Sequence, residues 1–299
     1  MSLEAQSLLN EWSPPVALDA ILSLTTIFYF RGWFSLHRTS PGLLSIRRLA
    51  AFLAAMFLLW VAIGSPLSAF DDASLTVHMI QHILLMLVVP PLLLLGAPAL
   101  PLLHGLPQSF VRAILGPFLR WSPAQSLGKF LTHPLVCWIL AAIALIAWHV
   151  PSAFELALRS DFWHEVEHIC FFSTSILFWW PVIQPFPSEA RWPRWFIPLY
   201  LFFGMFPSSA LGAFLVFCDR VLYPSYLKAP ALFSITPLTD QIIAGGLMWV
   251  LGMFVCLIPA VIITLKLLSP HASLPGAALS NSSLFPSKEY LSANRSSQL

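Results

Sequence analysis

Apolar stretches long enough to cross a bilayer recur along this chain, and they constrain its fold more than any other feature. A helix needs about 20 predominantly apolar residues to traverse roughly 30 Å of hydrocarbon. Runs of that kind lie near residues 16–36, 46–64, 73–95, 134–150, 162–183, 195–217 and 238–267. The fourth is short, yet Pro134 and Pro151 bound it and no charge falls between them. With 58% hydrophobic and only 9% charged residues in 299, the chain is more apolar than a soluble core of this size requires. Lipid offers backbone groups no hydrogen-bond partner, so each segment must satisfy its own, which favours helices. The expected fold is an all-α polytopic membrane protein, a seven-helix transmembrane bundle over residues 1–268. Residues 269–299, rich in Ser, Asn and Pro without apolar periodicity, read as a disordered cytoplasmic tail.

Basic residues set the orientation. Threading the seven spans leaves only Arg159, Arg220 and Lys228 of the 15 Lys and Arg on one side. The crowded side is the cytoplasmic one, so the N-terminus is expected outside and the C-terminus inside. Glu4 and Glu11 stand where a signal peptide would be positive, so the first span should be retained. In the connection between the third and fourth spans, Phe110, Ile114, Phe118 and Leu119 alternate with Arg112 and Arg120 at helical spacing. That pattern predicts an interfacial helix near 107–121 on the cytoplasmic leaflet. A formal net charge of +2, spread over loops, gives no footprint for nucleic acid. Cys137, Cys170, Cys218 and Cys256 have no CxxC spacing, which argues against a zinc ribbon or disulfide framework.

The chemistry is carried by two helical pairs, His78 with His82 and His164 with His168. Residues at i and i+4 share a helix face, a spacing at which two imidazoles can hold one first-row metal ion. Topology places both pairs at the outer ends of their spans, with His149 at the outer end of the fourth span, Glu167 between the second pair, and Asp240 at the outer start of the seventh. Ionisable side chains at membrane depth are expensive and mark functional sites. The expected metal-site residues are therefore His78, His82, His164, His168, Asp240, His149, Glu167 and Met248, the last two turns below Asp240. Imidazole with nearby thioether favours copper, with zinc as an alternative. His37, His104, His133 and His271 fall on the cytoplasmic side or in the tail and need no metal to explain them; Met79 and Met86 are ordinary packing residues.

Other readings fit parts of the pattern. His164-Glu165-Val166-Glu167-His168 satisfies both the His-Glu-x-x-His arrangement of zinc metalloproteases and its inversion. An intramembrane protease does not, however, require the first histidine pair. Bis-imidazole haem ligation would suit a helix bundle but normally takes one histidine from each helix. A copper or metal transporter would call for polar groups deeper in the bundle than the outer layer.

Taken together, these residues resemble the CtaG family of cytochrome c oxidase assembly factors. The resemblance rests on His78-Met79-Ile80-Gln81-His82 with Pro90-Pro91 and Gly96-Ala97-Pro98, on Trp148-His149-Val150-Pro151, and on His164 with Glu167-His168 ahead of Phe178-Trp179-Trp180-Pro181. It extends to Asp240-Gln241 with Gly245, Met248 and Trp249. The sixth span matches loosely, so Met205 receives no ligand role. The resemblance implies a seven-span assembly factor, not an enzyme, in a bacterial inner membrane, which delivers or inserts copper. It would hold copper at the periplasmic face for cytochrome c oxidase. Its partners would be oxidase subunits, a periplasmic copper donor and the lipid bilayer; a homo-oligomer is compatible with the sequence.

Overall fold

The computed structural model describes residues 6–7, 9–10, 12–39, 44–185, 192–229 and 235–269. It is all-helical, with no strand among these residues. The helices are α1 (Val16–Thr39), α2 (Ile46–Ile63), α3 (Leu75–Leu95), α4 (Ala99–Gly105), α5 (108–120), α6 (Ser122–Leu131), α7 (Pro134–His149), α8 (Pro151–Leu158), α9 (Asp161–Ile183), α10 (Phe196–Phe217) and α11 (Pro237–Leu268). Single 3-10 turns at Pro66–Phe70 and Pro224–Leu227 close two of the connections.

Among the described residues, five helical segments, 46–70, α3, α9, α10 and α11, are long and apolar enough to cross a membrane. A sixth arises if α6 and α7, bent by 70° at their junction, form one span. The bend follows from Pro134, which disfavours helical geometry in the residue before it; His133 is extended at φ −71° and ψ 126°. Expected span 16–36 folds as the 24-residue α1, but Asp19, Ser23, Thr25, Thr26 and Arg31 dilute its apolar character and it is not among the five. Large apolar side chains such as Ile21, Phe57, Ile143, Phe203 and Leu265 are exposed on the outside of the bundle, as lipid-facing surfaces require. The helix expected near 107–121 appears as α5, with Phe110, Ile114, Phe118 and Leu119 exposed. The expected tail lies outside the described residues apart from Ser269.

α3 occupies the centre, packed against α2, α9 and α11. Its sequence explains its irregularity. Pro90 has no N–H to donate to the Met86 carbonyl, and a π-helical turn at Leu84–Val88 precedes it. The Met86 oxygen instead accepts from Trp179 Nε1 of α9 at 3.3 Å, so the proline that breaks one ladder bond supplies a tie between helices. At the far end of α3, Tyr29 Oη donates to the Gly96 carbonyl at 2.8 Å while its ring stacks on Phe52 at 3.6 Å. α1, α2 and α3 are thereby joined in one cluster.

Close backbone contact does the work that a hydrophobic driving force cannot do inside lipid. Gly32 of α1 and Gly105 of α4 face each other: a Cβ on Gly32 would fall 1.8 Å from the Pro101 carbonyl oxygen, and one on Gly105 1.8 Å from that of Phe28. α10 and α11 form the most extensive pair, meeting at Gly212 and Gly245, where added Cβ atoms would lie 2.8 and 2.9 Å from the opposing carbonyl oxygens.

Because both contacts at the first crossing are backbone atoms that cannot rotate away, Gly105→Ala should separate α1 from α4. We expect a loss at the upper end of the about 1–3 kcal/mol typical of overpacking, read as a lower unfolding temperature in detergent. Gly128→Ala, inside α6 where the added Cβ meets nothing within 4 Å, should not lower that temperature and should raise it slightly, since Ala is favoured over Gly in a helix by about 0.5–1 kcal/mol.

Candidate metal centre

α3 and α9 approach most closely along residues 84–95 of α3, and their histidine pairs meet in the gap beyond that contact. Ring centroids of His78 and His82 are 4.3 Å apart, those of His164 and His168 4.3 Å. Across the gap His78 stacks on His164 at 5.2 Å and His82 meets His168 edge-on at 5.6 Å. His149, at the end of α7, stands 5.9 Å from His82. Glu167 inserts its carboxylate into the same space, Oε1 lying 3.7 Å from His82 Nε2 and Oε2 3.9 Å from His78 Nε2. These separations exceed hydrogen-bond length, so the groups converge without bonding to one another.

Burial makes that arrangement costly. His78, Glu167 and His82 are 0%, 0% and 3% exposed. Both ring nitrogens of His78 and of His82, Nε2 of His149, His164 and His168, and both Glu167 oxygens have no hydrogen-bond partner among the described residues. Each buried unsatisfied polar group costs about 1–3 kcal/mol, and a whole domain is stable by only about 5–15 kcal/mol. Nine such atoms close together call for ordered water or a ligand to satisfy them, and imidazole with carboxylate is a donor set that can hold a cation. Two trios bring their donor atoms within 4.8 Å of one another: His78, His82 and Glu167, and Asp71, His78 and His164.

His149 has the form of a metal-site histidine. Its Nδ1 lies 2.8 Å from the Leu145 carbonyl, which can only accept. The proton therefore sits on Nδ1, and the Nε2 lone pair faces the cluster, the orientation that a backbone partner commonly imposes on a ligating ring. Phe154, 4.9 Å from His78, and Phe171, 4.7 Å from His82, are fully buried and wall the cluster.

Asp240 has a different place. Its carboxylate accepts from Ser74 Oγ at 3.1 and 3.2 Å and from the backbone N–H groups of Leu75 at 2.7 Å and Thr76 at 3.2 Å. It caps the helix that bears His78 and His82, satisfying orphan amides and the positive end of the helix dipole. It thereby holds the start of the helix that carries these histidines and belongs to neither trio of donors within 4.8 Å of one another. Gln241, wholly buried, accepts from the Leu222 amide and donates to the carbonyls of Leu215 and Arg220, fixing the segment after α10. Met248 packs in the core with Leu75 and Met79. It also lines a cavity of about 70 Å³ beneath the cluster, together with His82, His149, Met79, Met86 and Cys256.

Four contributors escaped the sequence reading. Asp71 follows the Pro66–Phe70 turn and lies 3.9 Å from His164 Nε2. Burial, then the neighbouring Asp72 charge, push its carboxyl up to about 7, while Gln81 and backbone amides draw it back. Tyr226 Oη donates to the Asp71 carbonyl at 2.9 Å and Tyr223 Oη to that of His149 at 3.1 Å, so the segment after α10 holds both sides of the site. Glu155, through the Ser225 amide and hydroxyl at 3.0 and 2.7 Å, anchors that segment to α8. Elsewhere, His37 and His104 each face a backbone carbonyl and His133 meets Trp192 edge-on; His271 lies outside the described residues. Glu165, the carboxylate of the His-Glu-x-x-His order, is exposed, whereas Glu167, that of the inverted order, is buried.

The family model described as cytochrome c oxidase caa3 assembly factor (Caa3_CtaG) matches residues 27–269. Among curated proteins, uncharacterized proteins of Mycobacterium bovis and Mycobacterium tuberculosis are each 28% identical over 254 residues, covering 81% of this chain and 37% of theirs. One from Mycobacterium leprae is 27% identical over 240 residues, covering 77% of this chain and 36% of its own. The chain thus spans little more than a third of the length of these relatives. No solved structure matches.

An unpaired carboxylate buried for binding should weaken the metal-free bundle. Glu167→Leu, similar in volume, is expected to raise metal-free stability by about 1–3 kcal/mol, whereas Asp240→Ala should lower it by about 1–2 kcal/mol through loss of the cap. Thermal unfolding in detergent after chelator treatment checks both; a lower unfolding temperature for Glu167→Leu would mean that the carboxylate is already satisfied.

Proposed function

The chain belongs to the family of cytochrome c oxidase caa3 assembly factors, and on that premise we propose that it holds copper for insertion into the oxidase. The observation that carries the reading is the cluster of imidazoles around Glu167, nine of whose nitrogens and oxygens lack partners among the described residues. His78, His82 and Glu167 hold the cargo, with His164, His168 and His149 near enough to replace one of them as it is bound or released. Neutral imidazole and one carboxylate suit a first-row ion, and the thioethers of Met79, Met86 and Met248 lining the cavity below favour copper over zinc. No bond is made or broken in the cargo's partner; the chemistry is ligand exchange.

The proposal includes seven spans, with α1 and the bent α6–α7 pair added to the five apolar helices, an outside N-terminus and a cytoplasmic C-terminus in a bacterial inner membrane. The site then faces the periplasm, where a copper donor and the oxidase subunits could reach it. Reporters fused after Leu268 should be active only in the cytoplasm, and reporters inserted after Arg159 only outside it. Exposure of Glu165 weighs against the His-Glu-x-x-His form of an intramembrane protease, since the water-activating carboxylate must face the metal. The first histidine pair is surplus to the inverted form. The cavity beneath His82 and His149 is the one observation favouring a transport reading.

Protein purified without chelators is expected to retain copper, measured by elemental analysis. The double variant His78→Ala, His82→Ala should lose it and leave host oxidase inactive while the bundle keeps its helical spectrum. Copper content equal to wild type in that variant would remove the assignment.

A further inference from the structure

The two trios of donors share one residue. His78 belongs both to the set with His82 and Glu167 and to the set with Asp71 and His164. They differ in depth. Asp71 and His164 side chains are 8% and 20% exposed, those of His82 and Glu167 3% and 0%. The exposed Asp72 and Asp161 stand beside the outer set: Asp161 acts electrostatically on both His164 and Asp72, and Asp72 on Asp71. Between the sets, the His78 and His164 rings lie nearly parallel, 18° apart in plane. Tyr226 pins the Asp71 backbone by its carbonyl, so the carboxylate is held at the mouth.

The geometry points to a two-position relay in which Asp71, His164 and His78 form a loading position and His78 carries the ion inward to His82 and Glu167. This deepens the copper-holding reading and rests on it. In the transfer the bonds to the Asp71 carboxylate and the His164 imidazole break and bonds to the Glu167 carboxylate and the His82 imidazole form, while the bond to His78 is retained. One carboxylate replaces another and one neutral imidazole replaces another. The charge of the coordination sphere is therefore unchanged, no electron moves, and no bare cation crosses the low-dielectric interior, a passage that would be prohibitive without ligands. A single-position site would need neither Asp71 beside His164 nor a shared histidine.

The test is the time course of loading. Metal-free full-length protein in detergent, mixed with Cu(II) in a stopped-flow spectrometer, should load in two phases. The first should be proportional to Cu(II) concentration and the second independent of it. Asp71→Asn, which preserves shape, should slow the first phase about tenfold or more. Glu167→Gln should keep the first phase and abolish the second, arresting the spectrum at the intermediate. His164→Gln should reproduce the Asp71→Asn defect, and stands in for it if that variant does not fold. A single phase affected alike by Asp71→Asn and Glu167→Gln, or Asp71→Asn loading at the wild-type rate, would overturn the relay while leaving the copper-holding reading intact. Wild-type protein that takes up no Cu(II) would overturn both.

Discussion

Gathering five imidazoles around the buried Glu167, with nine of their nitrogens and oxygens unpartnered among the described residues, is the constraint around which the bundle is organised. Left to packing alone, α3 and α9 would gain by placing apolar residues at these positions, since a buried polar group without a partner costs more than its removal. The rings are instead kept in register by elements drawn from the whole chain. Asp240 of α11 caps the N-terminus of α3. The Met86 carbonyl, released by Pro90, is tied to Trp179 on α9. Tyr223 and Tyr226 fasten His149 and Asp71 from the segment after α10. The scaffold's rigidity and the cluster's unmet valence are two sides of one arrangement, because mobile rings would relax by bonding to each other or to backbone.

Apolar walls complete that arrangement. Phe154 and Phe171, both fully buried, stand against His78 and His82, and Phe154 is in turn stacked on Tyr223 at 3.9 Å. A wall of this kind excludes water, strengthens every charge–ligand interaction inside it, and prevents solvent from satisfying the donors in place of a cation. The opening is left on the side of His164 and Asp71, where exposure rises. Opposite it lies the cavity bordered by His82, His149 and methionines, so the cluster sits between a carboxylate-rich mouth and a sulfur-bearing interior.

Much of this is legible in the sequence, for a physical reason. Helical periodicity is local, so the pairs His78 with His82 and His164 with His168 announce a shared face, and a common outer depth follows once spans are threaded. Glu167 rather than Glu165 follows from the CtaG resemblance, and the fold agrees, burying the first and exposing the second. What periodicity cannot convey is the partner of a carboxylate. Asp240 near the start of a span has the same signature whether it binds a metal or caps a neighbouring helix, and only the approach of Ser74, Leu75 and Thr76 from 164 to 166 residues away decides it. Asp71 was hidden for the converse reason: it comes from the end of a short turn, where no spacing relates it to His164. The apolar runs at α1 and α7 were readable as helices, but their lengths and breaks depend on polar dilution and on Pro134, which a hydropathy count smooths over.

The balance between affinity and release follows from the same geometry. A carrier whose donors were all locked in one ideal polyhedron would bind tightly and surrender nothing, since each exchange would first have to expose an unliganded ion in a low-dielectric interior. Here more imidazoles converge than one ion can use, and their ring centroids are spaced at 4.3 to 5.9 Å, close enough that an incoming ligand can engage before the outgoing one leaves. Under the proposed relay, the two donor sets that share His78 would let an ion move without passing through an unliganded state. Five histidines exceed what a four-ligand structural site uses, and the copper-holding proposal accounts for the surplus as ligands for exchange.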